Sequence, residues 1–78
     1  MIIKVLGGGC ANCQKTKALV QEVVDEMGLN AQIQEVKDMA DIIAYGVMST
    51  PAVVIDEKVV HSGGVPTRDK MVNLLQQN

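Results

Sequence analysis

Cys10 and Cys13 are the only two cysteines in 78 residues, and they stand together as Cys10-Ala11-Asn12-Cys13. A bond between neighbours this close restricts the unfolded chain little, so the pair is a weak staple and a better candidate for chemistry. It follows an apolar run and three glycines, at the point where helical spacing begins. The first turn of a helix presents unpaired backbone N–H groups and the positive end of the helix dipole. A thiolate held there is stabilised, which makes Cys10 a nucleophile near neutral pH. Cys13 lies one turn further in, on the same side and nearer the core. Cys10 then attacks a substrate disulfide to form a mixed disulfide, and Cys13 attacks Cys10 to release the product. Gly7, Gly8 and Gly9 leave room for a substrate chain to reach the sulfur. The alternative is a pair of buried cysteines acting as small hydrophobes.

The elements that must position this pair can be read from apolar spacing. Residues 2–6 (Ile-Ile-Lys-Val-Leu) form a buried strand, ended by the glycines. From Ala11 onward, Thr16, Val20, Val23, Val24 and Met27 fall on one helical stripe with Leu19 beside it, and Gly28 stops the helix. Residues 31–36 alternate loosely and predict an edge strand. Asp38 caps a short helix carrying Met39, Ile42 and Ile43, with Tyr45 at its end and Gly46 as its stop. Thr50-Pro51 precedes a strand at 52–55. Asp56-Glu57-Lys58 is a turn, residues 59–62 return as a hairpin strand, and Gly63-Gly64 breaks it. Thr67 caps a last helix whose apolar face is Met71, Val72, Leu74 and Leu75. The order is β-α-β-α-β-β-α. Its first half is a βαβ crossover, which implies parallel pairing and a right-handed connection.

Composition excludes several classes of function. An apolar fraction of 47% with 21% charged residues describes a globular chain, expected to form one domain over residues 1–78. The net charge of −2 gives no electrostatic footprint for nucleic acid or an anionic membrane. The lack of Trp and Phe removes the stacking platforms of single-strand binders. No apolar run approaches the roughly 18 residues of a membrane span, and the first residues do not form a secretory signal. A cytoplasmic location is expected.

These residues together resemble the thioredoxin/glutaredoxin superfamily, most closely the small thioredoxin-like redox-active disulfide proteins of archaea and bacteria. The carriers are Cys10-Ala11-Asn12-Cys13 after the first strand, Thr50-Pro51 before the third and Gly63-Gly64 after the fourth, and the likeness spans nearly the whole chain. It implies an α/β fold with a four-stranded mixed sheet of order 2-1-3-4 flanked by helices. It also implies a cis Thr50-Pro51 bond facing the disulfide, with the Thr50 backbone pairing with an incoming substrate strand. Gly9, Ala11, Asn12, Gly63 and Gly64 would complete the substrate surface. The resemblance further implies reduction of protein disulfides, recycling by a thioredoxin-reductase-like enzyme, a monomeric state, and no cofactor beyond the Cys10–Cys13 disulfide. Three features depart from the thioredoxin pattern: Gly9 replaces the usual Trp, Ala11-Asn12 the usual Gly-Pro, and Lys4 the usual buried acid. The second half looks more like glutaredoxin. The Tyr and basic residue that glutaredoxins carry at their motif are missing, which argues against charge pairing with the carboxylates of glutathione.

The alternative function is a soft-metal, copper-type carrier, because two thiolates suit Cu(I). Such domains place C-x-x-C similarly but run β-α-β-β-α-β, carry Met where this chain has Gly8, and lack Thr-Pro. Zinc is a poorer match, since two Cys and one His leave a tetrahedral site one ligand short. His61, the only histidine, is expected to be a solvent-facing or hydrogen-bonded strand residue and not a catalytic base. The methionines, Met39, Met48 and Met71 among them, read mostly as core filling, with Met48 near enough to Pro51 to flank the disulfide. Lys15 and Lys17 form a solvated helix face close to Cys10.

Overall fold

A computed structural model describes residues 1–7, 9 and 11–76. Its elements are β1 (Ile2–Leu6), α1 (Ala11–Met27), β2 (Gln32–Val36), α2 (Met39–Ala44), β3 (Ala52–Ile55), β4 (Lys58–Ser62) and α3 (Arg68–Gln76). The four strands form one sheet in the order β2-β1-β3-β4. β1 and β2 are parallel, as the α1 crossover requires; β3 pairs antiparallel with both β1 and β4. The α/β class, the strand order and the element order all agree with the expectation from sequence.

Alternation along β1 divides the interior in two. Ile3 and Val5 face α1 and α3, where they pack with Val20, Val23, Val24, Val53, Ile55, Met71 and Leu75. Leu6 faces α2, in a smaller cluster with Ile42, Val47, Ala52 and Val54. β3 contributes to both clusters, and all four of its residues are buried, as expected of a central strand covered on both faces.

The helix ends follow their sequence signals. Gly28 takes φ +64, while Leu29 N–H bonds to the Val24 carbonyl at 3.1 Å, closing α1. The Asp38 side chain accepts from the Ala40 N–H at 2.8 Å at the start of α2. The Thr67 hydroxyl accepts from the Lys70 N–H at 3.1 Å at the start of α3. Asp56 and Glu57 both have positive φ, matching a two-residue hairpin turn between right-twisted strands.

The reading of Met39 and Met48 as core filling is corrected: they are 66% and 99% exposed, and Ile43 beside them on α2 is 64% exposed. α2 has only six residues, so one side chain, Ile42, reaches the sheet while its neighbours point outward. Met71 is fully buried, as read. Among the described residues, no helix is long and apolar enough to cross a membrane.

Candidate active site

The site lies where β1, α1 and the 46–51 segment meet, at the Leu6–Ala52 end of the sheet. Cys13 stands in the first turn of α1, is 4% exposed and is disulfide-bonded. Cys10 lies outside the described residues, as does Gly8. The Thr16 hydroxyl, fully buried one turn below, donates to the Asn12 carbonyl at 2.8 Å and fixes the backbone beside Cys13.

Gly7 makes this packing possible. A β-carbon at Gly7 would overlap the Cys13 sulfur and lie 3.3 Å from Cys13 Cβ and 3.6 Å from Thr50 Cβ. Its φ of +147 also disfavours any side chain. Its N–H donates to the Val36 carbonyl at 2.9 Å, joining the ends of β1 and β2. Sequence reasoning gave Gly7 to an incoming substrate; the structure gives it to Cys13 and Thr50 of the chain itself. The three-glycine run pointed to room for a close approach but did not say whose atoms come near.

The Thr50–Pro51 peptide is cis. Pro51 is buried and Thr50 exposed, and the Pro51 carbonyl accepts from the Gly63 N–H at 2.9 Å. Thus the chain after β4 lies against the segment before β3. Gly9, Ala11, Asn12, Thr50, Gly63 and Gly64 are exposed, while Cys13 and Pro51 lie beneath them. Gly7 brings Cys13 and Thr50 together, and a hydrogen bond joins Pro51 to Gly63. Gly9, Ala11 and Asn12 are near by chain adjacency to Cys13, and a β-carbon at Gly9 would find open space.

Lys4, at the position where the resemblance led to a buried acid, points elsewhere. It shares the α2 face of β1 with Leu6. Its Nζ lies 2.7 Å from Glu57 Oε1 and donates to the Tyr45 hydroxyl at 2.8 Å. Tyr45 in turn donates to Glu57 Oε2 at 3.1 Å. The Glu57 hydrogen bond, then that of Tyr45, raises the Lys4 ammonium above its ordinary range. The Lys4 hydrogen bond, then that of Tyr45, lowers the Glu57 carboxyl. Glu57 follows the Ile55 end of β3, opposite the Cys13 end, so this charge cluster faces away from the disulfide. Lys17 also looks elsewhere, 3.6 Å from Glu35 of β2.

A helix whose first turn carries a buried disulfide cysteine, set between two parallel strands and facing a proline loop, defines a redox-site class of α/β protein. The thioredoxin-domain family model matches residues 1–76, and the chain belongs to that family. It is 31% identical over 75 residues to a thioredoxin of Methanothermobacter thermautotrophicus, covering 96% of this chain and 97% of the relative. It is 32% identical over 71 residues to a thioredoxin of Methanocaldococcus jannaschii, covering 91% and 81% respectively. A second thioredoxin of that organism is 28% identical over 71 residues, covering 87% and 82%.

Proposed function

We propose that this chain is a thiol–disulfide oxidoreductase that reduces protein disulfides through Cys10 and Cys13. The observation that carries the proposal is Cys13, a buried disulfide cysteine in the first turn of α1, packed on Gly7 beside Thr50. In the reduced form the Cys10 thiolate attacks one sulfur of a substrate disulfide and expels the other as a thiolate, which takes up a proton. Cys13 then loses its proton and attacks the Cys10 sulfur, releasing the second substrate thiol and leaving the Cys10–Cys13 disulfide. Two electrons pass from the dithiol to the substrate; Cys13 supplies one proton, and solvent supplies the other, matching the one Cys10 gave up in becoming a thiolate. A thioredoxin-reductase-like enzyme returns the electrons, and no bound cofactor takes part.

The substrate segment would lie extended along Thr50 and Pro51, using backbone groups, with Gly9, Ala11 and Asn12 on one side and Gly63 and Gly64 on the other. A monomer in the cytoplasm suits this role. The copper-carrier alternative gains no support: the described residues run β-α-β-α-β-β-α, whereas such carriers run β-α-β-β-α-β.

The test is a pair of cysteine variants. Cys10→Ser abolishes reduction of insulin disulfides, whereas Cys13→Ser accumulates a mixed disulfide visible by non-reducing electrophoresis and mass. Turnover that survives both substitutions would falsify the mechanism, and stoichiometric tight Cu(I) binding without turnover would favour the carrier.

A further inference from the structure

His61 sits on β4 opposite Val53 of β3, and the chemistry above does not use it. Its ring is held from both sides: Lys70 Nζ of α3 lies 2.7 Å from Nδ1, and the Gly64 carbonyl oxygen lies 2.9 Å from Nε2. A lysine ammonium has donors and no acceptor, so Nδ1 must be the accepting nitrogen. The ring proton is then on Nε2, which donates to Gly64. This is the neutral imidazole, since a second proton on Nδ1 would set two donors against each other.

The chain of bonds continues into the site. Gly63, the neighbour of Gly64, donates its N–H to the Pro51 carbonyl at 2.9 Å, and its α-carbon faces Ser49 closely enough that an added β-carbon would sit 3.6 Å from Ser49 Cβ. Gly63 and Gly64 both adopt positive φ, +77 and +76. Two successive glycines have wide backbone freedom, so a loop built from them keeps one conformation only where it is tethered. Here the tethers are Pro51 at the Gly63 N–H and His61 at the Gly64 carbonyl.

We propose that His61 is a positioning residue for substrate binding: held in its Nε2–H form by Lys70, it clamps the Gly63–Gly64 loop against Pro51 and so shapes the surface on which an extended substrate segment lies. The inference rests on the disulfide-exchange reading and adds a residue that serves recognition without touching sulfur. A group that acts on bound substrate and transition state alike changes KM more than kcat.

The experiment compares wild type, His61→Leu and His61→Gln in reduction of insulin disulfides and of the small aromatic disulfide dithiobis(nitrobenzoate). His61→Leu is expected to raise KM for insulin roughly five- to tenfold, the size of one or two net hydrogen bonds, with a smaller change in kcat and in the small-disulfide rate. His61→Gln restores the insulin KM, because its amide nitrogen can donate to Gly64 while its oxygen accepts from Lys70. A long-range nitrogen–proton NMR correlation on the wild-type ring should report the Nε2–H form. An unchanged insulin KM in His61→Leu, no rescue by His61→Gln, or a ring protonated at Nδ1 would each overturn the proposal. Should His61→Leu not fold, His61→Gln and the wild-type tautomer still decide it. Wild type inert toward both disulfides would overturn the redox reading instead, while the tautomer and the exchange protection of the Gly63 amide would still report on the clamp.

Discussion

Gly7 shows how much of the site depends on a missing side chain. The Cys13 sulfur and the Thr50 side chain converge on the space a β-carbon would fill, and the backbone there holds φ +147. Gly7→Ala therefore combines backbone strain with overpacking against a buried sulfur, and is expected to cost about 2–4 kcal/mol. Urea unfolding of the oxidised protein measures it; a loss under about 0.5 kcal/mol, the range of an ordinary surface change, would mean that the sulfur moves aside freely. The cysteine spacing, the Thr-Pro and the paired glycines were legible because chemistry restricts their types. The Gly7–Cys13 contact was not, because it joins the end of a strand to a helix turn through a loop whose course the sequence does not specify. The link from His61 to Gly64 was hidden for a related reason: it depends on which way a ring on an edge strand turns, and on a lysine of α3 nine residues later.

At the scale of elements, Lys4, Tyr45 and Glu57 tie the middle of β1 to the end of α2 and to the β3–β4 turn. The pH dependence follows from the two shifts. Glu57 is lowered on folding, so its stabilisation is complete above the ordinary carboxylate value of about 4.3 and is lost as pH falls through the lowered folded value. Lys4 is raised, so its stabilisation is complete below about 10.4 and is lost only as pH rises through the raised folded value. The network thus keeps full strength across neutral pH and weakens at both extremes. Glu57→Gln is expected to flatten the acid side of a stability–pH curve measured by urea unfolding; curves that stay parallel to wild type would remove the network as the cause. Lys4→Met should leave the pH profile of Cys10 alkylation in place, because the ammonium faces the far end of the sheet. Element order and caps were legible from Asp38, Thr67, Gly28 and the short apolar run of β1 ended by glycines. The outward faces of Met39 and Ile43 were not, since in a helix as short as α2 three apolar residues satisfy the helical pattern whether one or all of them reach the sheet.

For the whole molecule, the division of the core bears on which parts open. The α1–α3 side packs Ile3, Val5, Val20, Val23, Val53, Met71 and Leu75 together, and Arg68 of α3 pairs with Glu22 and Glu26 of α1 across its rim. Truncation there is expensive: Leu75→Ala is expected to cost about 2–5 kcal/mol. A domain this small has a total near the lower end of about 5–15 kcal/mol, so the midpoint of thermal unfolding should fall on the order of 10 °C or more. The α2 side rests on Leu6, Ile42, Val47, Ala52 and Val54, under a six-residue helix with exposed apolar neighbours. The segment carrying Thr50 and Pro51 leaves from that side, so the proposed substrate loop hangs from the less stable half while Cys13 is rooted in the helix of the more stable one. Native-state hydrogen exchange in low urea should therefore find α2 and Val47 opening at least about 1–2 kcal/mol more readily than the Val20–Val24 turns of α1, with the central strand β3 following the slower set. Equal opening energies on the two sides would mean that β3 couples them into one cooperative unit. The unequal result would place any give in the site on the proline loop, leaving the helix turn that presents the cysteine fixed as a substrate enters.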